Sequence, residues 1–180
     1  PNWASTPDTE FEQQDDCEFI FGEFVWTGFD YLGEPTPFNG GAPARSSYFG
    51  IVDLVGMKKD RFYLYQSQWS NQPVLHVLPH WNWADRLGQE IPIYCYTNYP
   101  KVELCVNGKS YGIKEKIKTG TKYDRYRLNW KGVIYEPGEI KVIAYDTNGN
   151  PVETKTIKTA GPTYQLRLTA DRQEISATGK

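Results

Sequence analysis

The chain has 180 residues, a formal net charge of −2 and 15% aromatic residues, among them six Trp and thirteen Tyr. That length holds one domain or two small ones with a real core, but not a complete α/β barrel of ~250 residues together with anything else. The near-neutral charge supplies no basic footprint for nucleic acid or an anionic membrane, and no apolar run approaches the ~20 residues of a membrane span.

Pro1-Asn2-Trp3 carries no basic segment leading into an apolar one and reads as an interior cut rather than a leader. Thr6-Pro7-Asp8-Thr9-Glu10 has the pattern of a helix start, with Thr6 as N-cap, Pro7 at the first position and acids where the helix dipole favours them. The helix is predicted to run to about Cys17. Phe19 to Phe29 is then predicted as a strand. Ile20, Gly22, Phe24, Trp26, Gly28 and Asp30 share one parity, a mixture of small residues and large rings that suits a tapering barrel interior. Residues 32–47 are too rich in Pro and Gly for regular structure and read as a surface loop, the kind of segment that carries function on a rigid scaffold. Glu34, between Gly33 and Pro35, reads as a loop residue, and Gly40-Gly41 lacks the Lys-Ser/Thr of a phosphate cradle.

A helix is predicted from Asp60 to Trp69, capped by Asp60, with Phe62, Tyr65 and Trp69 on one face, and Asn71-Gln72-Pro73 breaks it. From Pro73 the period changes to two. Val74–Leu78, Ile91–Thr97, Val102–Val106, Arg125–Trp130, Glu139–Asp146 and Val152–Thr159 read as short strands at sandwich-like spacing, and Asn107-Gly108 and Asn148-Gly149 are hairpin signals. Thr159 to Thr163 is a second linker by composition, and Tyr164 to Thr169 alternates like one strand. A lone strand is unstable, so it reads as the first strand of a further β-domain.

The three cysteines match no zinc spacing, and His76 and His80 lie too far from them to complete a site, so neither metal nor cofactor is expected. Cys105 should point outward with Glu103, because Val102, Leu104 and Val106 claim the core parity; that leaves Cys95 and Cys105 unbridged. Trp81-Asn82-Trp83 could serve as a sugar platform, but it lies where the segment before residue 72 would meet the sandwich, and rings at such a junction more commonly anchor an interface.

The run Glu23 to Pro35, with Gly50-Ile51-Val52-Asp53-Leu54 and Lys59-Asp60-Arg61-Phe62-Tyr63, resembles the last barrel strand and last helix of family 2 glycoside hydrolases, most of all the bacterial β-galactosidases with extra C-terminal β-domains. Tyr96-Thr97-Asn98, Val102-Glu103-Leu104 and Asn107-Gly108-Lys109 resemble the sandwich that follows the barrel in that family. The resemblance implies a mainly β chain: residues 1–71 as the last strand, loop and helix of a (β/α)8 barrel, 72–159 as an immunoglobulin-like β-sandwich, and 160–180 as a linker with the start of another β-domain. It implies a retaining enzyme acting on terminal β-galactosides, whose two catalytic Glu sit in segments with no counterpart in this sequence, so no catalytic residue is expected here. It further implies that Trp26 borders the sugar pocket, with Asp30 and Tyr31 beside it, that the rest of the barrel is a partner, and that the enzyme works in the periplasm or is secreted. Trp26 as plain barrel filling stays open. So does Asp30 as a loop pin accepting backbone N–H bonds in place of a sugar hydroxyl. β-Glucuronidase, β-mannosidase and a non-catalytic carbohydrate-binding or spacer sandwich are the alternatives.

Overall fold

Alternating polarity in the second half of the chain becomes two antiparallel sheets in the computed structural model, which describes residues 4–33 and 44–177. The strands are β1 (Leu75–Leu78), β2 (Ile93–Thr97), β3 (Lys101–Val106), β4 (Lys109–Glu115), β5 (Leu128–Trp130), β6 (Glu139–Tyr145) and β7 (Pro151–Lys158). One sheet has the order β1-β2-β5 and the other β4-β3-β6-β7, an immunoglobulin-like sandwich. In the larger sheet Val102, Leu104 and Val106 pair with Ala144, Val142 and Ile140, and all six face inward and are buried. The smaller sheet answers with Leu75, Val77, Ile93, Cys95, Leu128 and Trp130. Burying each large side chain of this kind contributes roughly 1.5–3 kcal/mol.

The edge strands β4 and β7 are mostly exposed and carry several lysines, which discourages further strand pairing. β4 is absent from the predicted strands because, with one side open to solvent, Lys109-Ser110-Tyr111-Gly112 has little apolar alternation to betray it. Its hairpin signal was nevertheless sound. Asn107 and Gly108 both take positive φ (48° and 81°), as a two-residue turn that follows the strand twist requires.

Two other expectations need correction. Arg125–Trp130 is not one strand: Lys122–Tyr126 forms a short helix, α3, and only Leu128–Trp130 pairs with β2. Trp81 does not anchor a junction with the segment before the sandwich; it is fully enclosed inside the sandwich, its indole N–H donating to the Glu136 carbonyl at 3.0 Å and its ring meeting Tyr135 edge-on. Tyr164 to Thr169 pairs with nothing among the described residues, and Tyr164, Leu166 and Leu168 are exposed.

Ahead of the sandwich, helix α1 (Pro7–Asp16) and helix α2 (Asp60–Trp69) match the predicted helices closely, although Lys59, not Asp60, occupies the cap position of α2. The buried stripe of α2 is Leu64, Tyr65 and Ser67; Trp69 is half exposed, though its ring still contacts Tyr65 and Phe11. A second core joins Phe11 of α1 and Leu64 and Tyr65 of α2 to Tyr96 of β2 and Tyr126 of α3. Tyr63 stacks on His76 at 3.9 Å, and the His76 Nε2 meets the Asp60 carboxylate at 2.7 Å, so α2 lies across the outer face of the smaller sheet.

Phe19–Phe29 forms no regular strand. A strand needs a hydrogen-bonded neighbour, and only residues 27–30 find one, in a short parallel ladder with 51–52: Ile51 N to Thr27 O (3.0 Å), Val52 N to Gly28 O (3.0 Å) and Asp30 N to Val52 O (2.8 Å). The face expected to line a barrel interior is open at its rings: Phe24 and Trp26 are exposed, while Glu23, Val25 and Thr27 of the opposite parity are part-buried. The alternation fails on either side, where Phe21 and Phe29 are exposed and Asp30 is part-buried.

Candidate functional site

The loop end of the Phe19–Phe29 segment is held by one carboxylate. Asp30 Oδ1 accepts from the Gly50 N–H at 2.8 Å and the Ser47 hydroxyl at 3.0 Å, while Oδ2 pairs with the Lys59 ammonium. Burial alone would raise this carboxyl, but the hydrogen bonds from Lys59, Gly50 and Ser47 outweigh it and hold Asp30 below the usual carboxylate range. Lys59 also donates to the Tyr48 carbonyl at 2.9 Å, which ties the start of α2 into the same knot. Gly50 is required by this closeness: a Cβ there would stand 2.2 Å from the Asp30 backbone nitrogen. The side chain of Asp30 is therefore turned into the loop and engaged by three donors.

Trp26 faces the other way. Its indole is 73% exposed and lines a cleft of about 780 Å³, together with Phe24, Phe49, Tyr65, Arg61 and the start of α1 at Thr6. Arg61 reaches the Trp26 carbonyl at 3.4 Å and lies over the Tyr65 ring, so α2 braces the backbone that carries the indole. The Trp26–Thr27 peptide bond is cis. Tyr31 stands at the rim: its N–H donates to the Ser47 hydroxyl at 3.1 Å and its ring meets Phe49, a cleft residue, edge-on at 5.8 Å. Of the three residues singled out from the sequence, Trp26 thus lines the cleft, Tyr31 touches it through Phe49, and Asp30 organises the loop behind it. Phe24 shared the Trp26 parity and was legible; Phe49 and Arg61 come from the next turn of chain, and no local pattern marks them. Glu34 and Gly40-Gly41 lie outside the described residues.

Behind the cleft, both oxygens of Glu23 are shut off from solvent without a hydrogen bond of good geometry. Burial, then the neighbouring Glu10, push its carboxyl up to about 7, against the opposing pull of Tyr65 and Arg61. A value near neutrality suits a general acid. However, Glu10 lines the cleft while both Glu23 oxygens are shut off from solvent, and two carboxyl groups that touch each other leave no room for the scissile bond that glycoside hydrolysis places between them.

Two smaller depressions, of about 290 and 590 Å³, run along β4 and α3. Most of their cations are already committed: Lys114 to the Asn129 carbonyl, Lys116 to the Thr97 carbonyl, Arg125 to Asp16 and Arg127 to Asp8. Among the described residues no group of three or more His, Cys, Asp or Glu could hold a metal, and no helix is long and apolar enough to cross a membrane. The three thiols are free, with Cys95 facing the core and Cys105 on the outer side of β3.

This arrangement has relatives. Residues 88–153 match the model of a domain of unknown function, DUF4982. The chain is 51% identical to the β-galactosidase BoGH2A of Bacteroides ovatus over 99% of its own length and 20% of that protein. It is 39% identical to a putative β-glucuronidase of Formosa agariphila over 87% of its length and 15% of that protein. A solved glycosyl hydrolase family 2 member from Bacteroides cellulosilyticus superposes with a TM-score of 0.72 at 28% identity, covering 94% of this chain and 25% of that one. The chain spans a fifth or less of the length of these curated relatives. Along nearly its whole length the chain is thus similar to family 2 glycoside hydrolases, a β-galactosidase among them, and it shares their fold over the part that it matches.

Proposed function

We propose that this chain is part of a retaining glycoside hydrolase that cleaves terminal β-galactosides, and that Trp26 is its contribution to the sugar pocket. In this reading residues 1–71 close a (β/α)8 barrel, 72–159 form the sandwich attached to it, and 160–180 lead into a further β-domain. The observation that carries the proposal is the position of Trp26: a bare indole beside Phe24 in a roomy cleft, at the loop end of a barrel-strand-like segment, where α/β barrels keep their chemistry. Its face can cover the apolar side of a galactose ring. Tyr31 shapes the rim and Asp30 fixes the loop, while the two carboxyl groups that flank the scissile bond come from outside these 180 residues. The family's usual work on external sugars favours a periplasmic or secreted enzyme.

In the whole enzyme Trp26→Ala should lose roughly 1.5–3 kcal/mol of burial, which is ~10- to 100-fold in kcat/KM for a nitrophenyl β-galactoside. Thermal melting of the same variant is the control. An unchanged kcat/KM with a sharply lowered Tm would make Trp26 barrel filling and end the proposal. A nitrophenyl β-glucuronide in parallel decides the sugar, since a β-glucuronidase is among the similar proteins.

A further inference from the structure

Helix α1 breaks a local rule. It carries five acids and no base, and Asp15 and Asp16 stand in its last turn, where the helix dipole disfavours negative charge. α3 is the complement. Arg125 grips Asp16 with two parallel bonds of 2.9 and 2.8 Å and lies 3.6 Å from Asp15. The Tyr126 hydroxyl donates to Asp15 at 2.8 Å, and the Lys122 ammonium donates to Thr9 at 2.7 Å. Arg127, just past α3, holds Asp8 through Nε at 2.8 Å and through Nη2, with the Asp8 side chain completely buried. The Arg127 guanidinium lies 5.5 Å from the ring centre of Tyr96 and 5.4 Å from that of Tyr123, so it is fixed on aromatic faces as well as by its fork.

Four side-chain contacts between residues 109 to 119 positions apart, two of them between opposite charges, are more than packing needs. Residues 122–127 have given up strand pairing to make them, and the far end of the contact leads into the cleft: Asp8 follows directly on Ala4 to Pro7, which form one of its walls. We infer that α3 is a latch by which the sandwich holds α1, and with it the Ala4–Pro7 wall of the Trp26 cleft, so that Arg127 is a positioning residue for that site. The second half of this inference rests on the sugar-pocket reading; the first half does not.

Amide hydrogen exchange on the 180-residue chain tests the latch without any sugar. Arg127→Gln and Asp8→Asn should each speed exchange of the α1 amides by about 10- to 100-fold while β3 and β6 amides keep wild-type rates. The double variant should be little worse than either single one, because the two groups act as a unit. Arg127→Lys, which keeps the charge but not the fork, should recover only part of the protection. Unchanged α1 exchange, or an equal rise in β3 and β6, would overturn the latch. Because an Asp8 variant leaves a buried guanidinium unpaired and can fail to fold, Arg125→Gln at the exposed end is the companion: it should loosen the last turn of α1 alone. In the whole enzyme Arg127→Gln should raise KM for the nitrophenyl β-galactoside several-fold with kcat within about twofold; a loss confined to kcat would sink the positioning role. If Trp26→Ala leaves kcat/KM untouched, it is the sugar reading that has failed, and α1 exchange still reports on the latch.

Discussion

The sandwich and the segment before it are built from similar residues and reach opposite ends. In the sandwich every large inward side chain meets another from the facing sheet, and Trp81, Trp130 and Tyr135 are enclosed with their polar atoms available for partners in the same unit. Residues 19–29 have rings as large, yet Phe21 and Phe24 are fully exposed, because this chain presents nothing opposite them. The difference teaches that alternation specifies which face is apolar but not what covers it. Two sheets linked by short turns cover each other, whereas one segment backed by two helices has a covered side and a bare one.

The largest expected effect tests that contrast directly. Leu104→Ala in the sandwich should destabilise the 180-residue chain by about 2–5 kcal/mol, the usual cost of a cavity in a closed core. Phe24→Ala should change it by no more than about 0.5 kcal/mol, as for an exposed position. Denaturant unfolding of the two variants measures both. Equal losses would mean that 19–29 is packed after all, and the contrast would collapse.

A smaller effect belongs to the one tight spot in the open segment. Gly50→Ala puts a methyl group into the Asp30 backbone and should cost roughly 1–3 kcal/mol, the range for overpacking. The loss should appear as weakened protection of the Asp30 and Val52 amides while the sandwich amides are unaffected. Wild-type protection at those two amides would show that the Asp30 knot is slack.

The smallest effect is a pH slope. The Glu23 carboxyl is raised from an ordinary 4.5 to about 7, chiefly by burial and then by Glu10, so the folded state binds the proton more tightly than the unfolded one. The stability contributed by that proton is therefore fully present below about 4.5 and is lost as pH rises through about 7. Wild-type Tm should fall between pH 5.5 and pH 8 more steeply than that of Glu23→Gln, which cannot ionise. Parallel slopes would mean that Glu23 is solvated. Asp30 has the opposite sign: its lowered pKa supplies stability that is present at neutral pH and lost only in acid.

Much of this was legible along the chain because it depends on near neighbours. The start of α1 at Pro7, the hairpin at Asn107-Gly108 and the inward parity of Val102, Leu104 and Val106 are set by the fixed φ of proline, turn chemistry and period, and each stands where local physics puts it. That Trp26 and Phe24 share one side of their segment also follows from parity, whereas the openness of that side does not. What only the tertiary structure decided concerns partners far apart in sequence. Arg125 to Trp130 has strand-like residues, but α1 lies within reach of its arginines, and ion pairing with Asp8 and Asp16 outweighed a longer ladder with β2. Trp81 went inside the sandwich because the Glu136 carbonyl was there to receive its N–H. Asp30 became a loop pin because Gly50 and Lys59 converge on it from 20 and 29 residues away. A side chain's period names the face it occupies, whereas its role depends on which distant groups the folded chain brings to that face, and on the strength of their hydrogen bonds relative to water's.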